Sequence, residues 1–199
     1  AWSKQQMLAN YGQVYLWNYY ILHHYLRETP ETRTQFFKSL VASKKQGVAG
    51  YIEALGAVSK GFTQTFDRFA IANYVNDTRV AKGEFGYDKS LGKLKLPVSD
   101  TIAVLPGEVA GEVFLWSADA VKIDLANARS SMKVSFQGFR GKMGEDQYNS
   151  FTVAMVMQDS TGTNPPQISY IDVKPIGSKL QGGDIAIDAT AGFDSAMLI

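Results

Sequence analysis

Apolar residues change their spacing once along this chain, near residue 77, and no single class of secondary structure accommodates both halves. Upstream, Phe66, Phe69, Ala70, Asn73 and Tyr74 recur at the spacing that puts side chains on one face of a helix. Downstream, Met132, Val134 and Phe136 alternate with Lys133, Ser135 and Gln137, the period of a half-buried strand. The expected fold is therefore α+β: an all-α helical subdomain over 1–77, a connecting segment over 78–107, and an antiparallel β-sandwich over 108–199. The connection holds glycines and prolines among several lysines, and is expected to lie over the surface.

Four helices are expected in the first half. The first, over about residues 3–28, is apolar on most sides around Val14, Leu16, Trp17, Ile21 and Leu22, which predicts burial and a central place in the bundle. Thr29, Pro30 and Glu31 supply an N-cap, a proline at the first helical position and an acid in the first turn. That second helix carries Phe36, Phe37, Leu40 and Val41 and is expected to end at Gly47. A third, with Val48, Tyr51, Ile52 and Leu55, is expected to stop at Gly61, and a fourth to run over 63–75 until Asn76-Asp77 turns the chain. In the second half, strands are expected over 112–118, 121–125, 132–137, 151–157, 168–173, 184–187 and 196–199. A sheet with one apolar face must cover it, so a sandwich is the expected closure.

Composition bears mainly on what the chain does not do. Twenty basic residues against nineteen acidic ones give a net charge of +1, and no Lys/Arg run exceeds two, so no field attracts nucleic acid. With no cysteine there is no disulfide, thiol nucleophile or cysteine-ligated zinc. The longest strongly apolar run, 14–22, is interrupted by Asn18 and is shorter than the roughly 20 residues that span a bilayer.

Candidate chemistry is sparse. His23 and His24 are adjacent, so on a helix they point about 100° apart and cannot chelate one metal together. His24 and Glu28 stand four apart, but a histidine near a helix C-terminus is favoured by the dipole alone, and a structural pair is the preferred reading. No Gly-x-Ser-x-Gly elbow, P-loop, dinucleotide fingerprint or His-Glu-x-x-His stretch occurs. Glu145-Asp146 and the 159–164 turn could offer oxygens to calcium, against a simpler reading as turn chemistry. Tyr11, Tyr15, Trp17, Tyr19, Tyr20 and Tyr25 could line a cleft, against a reading as core aromatics with satisfied hydroxyls. Phe114 and Trp116 could stack on carbohydrate, against a reading as sandwich core. No residue is assigned a catalytic, cofactor-binding or metal role.

The order of these features carries a resemblance. Tyr11-Gly12 opens an aromatic helix, a Phe-Phe helix follows, then Phe66-Asp-Arg-Phe-Ala-Ile-Ala-Asn-Tyr-Val-Asn-Asp77 and Gly83-Glu-Phe-Gly-Tyr-Asp88. This resembles the C-terminal part of secreted bacterial zinc metallopeptidases of the hyicolysin and immune-inhibitor type. The resemblance implies a helical lobe that completes a peptidase domain, then a β-sandwich begun by a segment like Val113-Phe-Leu-Trp-Ser-Ala-Asp119. That family carries its His-Glu-x-x-His zinc site upstream of the Tyr-Gly helix, and the stretch is missing here, so no residue inherits a catalytic or zinc role. Because the chain opens at Ala1 and closes on Ala196-Met-Leu-Ile199 as if on a strand cut short, a C-terminal fragment is expected.

Two functions follow as expectations. The first is the non-catalytic C-terminal region of an exported zinc metallopeptidase, found outside the cytoplasm (extracellular, cell-surface or periplasmic). Its partners would be the N-terminal catalytic part and a protein or peptide substrate. Zinc is expected in the parent protein and none in this chain, with no hydrolysis by the chain alone. The alternative is a free-standing binding or structural module that recognises protein or glycan at a cell surface. An independent enzyme built on an unfamiliar carboxylate pair stands third.

Overall fold

The computed structural model describes residues 4–22, 26, 29–87, 91, 94, 96–114, 116–126, 128, 131–145, 147–189 and 192–199, with side chains from Gly12 onward. The fold is mixed α+β, with helices in the first half and two mostly antiparallel sheets in the second. It divides into two compact units, Ala1–Leu94 and Lys95–Ile199, and the division falls within the 78–107 segment.

The first unit holds α1 (Lys4–Tyr20), α2 (Pro30–Ala42), α3 (Val48–Gly56) and α4 (Phe62–Val75). Trp17 is the hub of its core. The rings of Tyr51, Phe62, Phe66 and Phe69 surround the indole at centroid distances of 5.8, 5.7, 6.2 and 5.1 Å, tilted or edge-on, as the ring quadrupoles favour. Tyr20, Ile21, Leu26, Phe36, Ala54, Leu55, Ala72 and Tyr87 complete the cluster. The α2 cap is the expected one: Thr29 Oγ1 accepts the Thr32 N–H at 3.1 Å and Pro30 opens the helix. Gly47 and Gly61 sit at the N-caps of α3 and α4 rather than at the ends of their predecessors, which stop earlier, at Ala42 and Gly56.

The first helix departs from expectation. Its regular part ends at Tyr20, and Ile21 and Leu22 continue it as a π turn, with the Leu26 N–H donating to the Ile21 carbonyl at 2.8 Å. Val14 and Tyr15 are 54% and 61% exposed, so burial on most sides is not what this helix has over its described side chains. Among the described side chains of this helix, the buried ones, Trp17, Tyr20 and Ile21, lie toward its C-terminal end.

The second unit is a two-layered sandwich. Its strands are β1 (Asp100–Ile102), β2 (Val121–Asp124), β3 (Ser131–Phe139), β4 (Val153–Gln158), β5 (Gln167–Ile171), β6 (Lys174–Ile176), β7 (Leu180–Asp188) and β8 (Ser195–Leu198). One sheet has the order β1-β2-β8-β4-β5, the other β3-β7-β6. All pairs are antiparallel except β1 with β2, which run parallel. The register puts Val134 opposite Ile185 and Met132 opposite Ile187, the inward face of the smaller sheet. Val134 and Ile187 share a buried cluster with Ile123, Met155, Met157 and Ala196 of the larger sheet, so the core lies between the layers.

Two expectations are corrected here, and one strand is unforeseen. The described residues of 112–118 form no strand, because the segment belongs to the long crossover that a parallel β1–β2 pair requires. The 78–107 segment is not only a surface connection: Phe85 and Tyr87 are buried, and its 100–102 portion is β1. β6 forms where three exposed residues gave no alternation to detect.

Met155 is fully buried between the sheets, so its truncation leaves a cavity as well as losing apolar burial. Met155→Ala is expected to destabilise the sandwich by about 2–5 kcal/mol, and the volume-conserving Met155→Leu by less than about 1.5 kcal/mol. Urea titration followed by the β-sheet circular dichroism signal checks this; equal midpoints for the two variants would place the core elsewhere.

Candidate functional site

The candidate cleft residues divide by their position along α1. Trp17 and Tyr20 are core, and the Tyr20 hydroxyl donates to the Glu84 carbonyl at 3.2 Å. Tyr19 is half-buried against the Tyr87 ring at 6.3 Å. Asn18 ties α1 to α3 by accepting the Tyr51 hydroxyl at 2.9 Å. Tyr15 presents most of its ring to solvent, with Tyr19 as its neighbour at 6.0 Å. The side chains of Tyr11 and Tyr25, and all of His23, His24 and Glu28, lie outside the described residues.

The stretch that carries the family resemblance folds as a clasp on the end of α4. Asn76 adopts a left-handed conformation (φ 41°), which ends the helix and turns the chain back. The returning strand of chain is then held twice by asparagine: Tyr87 Oη donates to Asn73 Oδ1 at 2.5 Å, and the Tyr87 N–H donates to Asn76 Oδ1 at 3.1 Å. The Asp77 N–H donates to the Phe85 carbonyl at 3.0 Å. Asp77 also holds Arg79 through an ion pair at 2.6 Å, and Arg68 of α4 holds Glu84 at 2.6 Å. Gly86 sits where the strands of the clasp touch. A Cβ there would lie 2.5 Å from Thr78 N and 2.6 Å from Asp77 C, closer than any side chain tolerates.

Electrostatics follow from this geometry. Burial pushes the Tyr87 phenol far above its ordinary value, since the phenolate would lose its solvation. The hydrogen bond from Arg79 holds the Asp77 carboxyl below the usual range. The Tyr87 phenol, buried in the core, thus has the Asn73 side-chain oxygen as its acceptor, and the bond ties the returning chain to α4.

In the second unit, Phe114 and Trp116 do not serve as sandwich core. They stand 75% and 39% exposed in the crossover between β1 and β2, where the Ser117 hydroxyl and N–H both donate to the Phe114 carbonyl, at 2.7 and 3.1 Å. Trp116 has a φ of 57°, which an L side chain rarely adopts. Sequence alternation misplaced both rings because it cannot tell a strand from an extended loop of the same composition. A row of apolar side chains, Phe139, Leu180 and Ile176, also crosses the outer face of the smaller sheet, at register positions Phe139–Leu180 and Ile176–Leu180. Beside it the Arg140 guanidinium lies 3.6 Å above the Tyr148 ring.

The 159–164 turn is organised by its own aspartate. Asp159 accepts from the Thr161 N–H and hydroxyl and from the Asn164 N–H and side-chain amide, at 2.6–3.1 Å. The Thr161 hydroxyl, foremost among these, holds the Asp159 carboxyl below its ordinary value. Asp194 accepts the Ser160 hydroxyl and is lowered by that bond. Asp146 lies outside the described residues. Among the described residues no three or more His, Asp or Glu side chains gather as a metal-binding group, and no helix is long and apolar enough to cross a membrane. No protein-family model, curated protein or solved structure matches the chain.

The clasp gives two checks. In the unfolded chain the Tyr87 phenol loses its proton near the ordinary tyrosine value of 10.0, whereas the folded state retains it, so stability falls as pH rises beyond that value. Native protein should therefore lose stability above pH 10 more steeply than Tyr87→Phe, by up to about 1.4 kcal/mol per pH unit. Parallel slopes in alkaline denaturation would assign the effect to other groups. At neutral pH, Tyr87→Phe should cost about 1–3 kcal/mol, because Asn73 keeps its burial and loses its donor.

Proposed function

We propose that this chain is the helical lobe and accessory β-sandwich of an exported bacterial zinc metallopeptidase, non-catalytic by itself. The observation that carries the reading is the clasp. The Asn-Tyr-Val-Asn-Asp and Gly-Tyr elements on which the resemblance rests meet in space, where Asn73 and Asn76 both hold Tyr87. Their contact supports the reading, since it gives the elements of the resemblance a shared structural role. A two-layered sandwich after a four-helix unit is the order that the resemblance implies.

On this reading the chain supplies surface rather than chemistry. Tyr15, exposed on α1, is the described aromatic placed to line one wall of a substrate cleft and to orient a polypeptide through its ring and hydroxyl. The zinc ligands and the glutamate that activates water belong to the catalytic part preceding α1, and no residue of this chain is assigned to them. The sandwich assists stability or docking.

The test is the protein as its source cell makes it, characterised by intact mass, N-terminal sequencing and zinc content. A longer form with a His-Glu-x-x-His stretch ahead of Ala1, and a peptidase activity abolished by chelation, is the expected result. A native protein that starts at or near Ala1 would remove the catalyst and leave the second reading, a binding module, which the exposed Phe114 and Trp116 favour. In the full-length form, Tyr15→Phe is expected to change peptide turnover several-fold, and unchanged kcat and KM would take Tyr15 out of the cleft wall.

A further inference from the structure

The crossover between β1 and β2 joins two properties that seldom coincide on a free surface. It is apolar and exposed: Val104, Val113, Phe114 and Trp116 all stand out, Val104 at 77% and Phe114 at 75%. It is also uniformly anionic. From 96 to 121, between Lys95 and Lys122, the sequence holds Asp100, Glu108, Glu112 and Asp119 and no Lys, Arg, His, Asn or Gln. None of the ion pairs formed among the described residues involves these four carboxylates.

The crossover is anchored rather than loose. Its two ends are joined where the Ser99 N–H donates to the Ala120 carbonyl at 2.8 Å, next to the parallel pairing of Asp100 with Val121. Within it, a side chain added at Gly111 would come 3.9 Å from the Asp119 carboxylate, so an excursion over 112–118 leaves and returns at one point. The Ser117 hydroxyl and N–H bind back to the Phe114 carbonyl. Val113, Phe114 and Trp116 thus project from one short excursion whose flanks are Glu112 and Asp119.

We propose that this excursion is a docking site for a cationic polypeptide segment that carries an apolar or aromatic side chain. Phe114 is the anchor, covered by the partner's apolar residue, and Glu108, Glu112 and Asp119 form the polar rim that meets its lysines or arginines. Single exposed ion pairs are weak, but four like charges with no cation among them set a local field that selects the sign of the partner. That field repels an anionic bilayer. A neutral glycan can stack on the rings and donate to the carboxylates, but it carries no charge for the field to select, and the test includes it as a competing arm. The proposal goes beyond the peptidase reading and does not depend on it: under that reading the site is a substrate-docking surface, and under the other it is the module's binding face.

The test uses the 199-residue chain and labelled synthetic peptides read by fluorescence anisotropy. A dodecapeptide of alternating lysine and leucine with one central phenylalanine is the probe, compared with its lysine-to-glutamate counterpart and with a neutral oligosaccharide of glucose. The expected result is binding of the cationic peptide alone, weakened several-fold by raising the salt. Phe114→Ser should weaken it at least about tenfold, and the double variant Glu108→Gln, Glu112→Gln several-fold with a flatter salt dependence, the cost of losing a central anchor against that of losing rim charges. Both sites are exposed, so unchanged circular dichroism and melting should accompany the loss. Phe139→Ser, on the outer row of the smaller sheet, is the control expected to bind as native does. Equal binding by Phe114→Ser, loss in Phe139→Ser instead, preference for the acidic peptide or the oligosaccharide, or no binding by any probe overturns the proposal.

Discussion

The hydrogen bond from Tyr87 to Asn73 is the constraint on which the helical unit closes. Four short helices joined by turns leave the aromatic cluster around Trp17 open on one side unless something returns across α4. The segment after α4 does so, and it brings a phenol into the core. A phenol buried without a partner would cost several kcal/mol, so the acceptor has to be built into the helix at the position the ring reaches. Asn73 provides it, and the left-handed Asn76 three residues later sets the direction of return. The close approach at Gly86 follows from both, since the chain must double back tightly against Asp77 and Thr78 to deliver Tyr87.

The sandwich depends on a different constraint, the matching of two inward rows. β3 and β7 are paired over nine residues, which fixes Met132, Val134 and Phe136 on one face and leaves Lys133, Ser135 and Gln137 on the other. A slip of one residue would exchange the two sets. The Lys133–Asp184 ion pair marks the outward face, where water screens it and its contribution is small. The larger sheet is less regular: its β1–β2 pair is parallel, which obliges a long crossover and so creates the exposed loop that carries Phe114.

Much of this architecture is legible in the sequence. The change of period separates helices from strands, Thr29-Pro30-Glu31 marks the start of α2, and Asn76 marks the end of α4, because each rests on local chemistry that a few residues decide. The failures are of another kind. The exposure of Val14 and Tyr15 depends on which part of an apolar helix its neighbours cover. The burial of Tyr87 depends on contacts across eleven and fourteen positions, with nothing periodic around them. β1 and β6, three residues each, are too short to show a period. Phe114 and Trp116 alternate as strand residues would, yet the pairing partner that makes alternation into a strand lies elsewhere.

The same limit governs function. A motif of catalysis is a local arrangement that sequence displays, whereas a docking surface is defined by what the fold leaves uncovered. In this chain the apolar composition of 112–118 is compatible with core and with surface alike, and the outcome turns on one topological fact, that β2 pairs with β8 on one edge and with β1 in parallel on the other. With both edges of β2 occupied, the crossover cannot pair with the strand it leads into. Its Phe114 ring is left largely in water, at a cost of roughly 2 kcal/mol in forgone burial. Folding alone gives no reason to place Phe114 there rather than a serine, and a partner that covers the ring does.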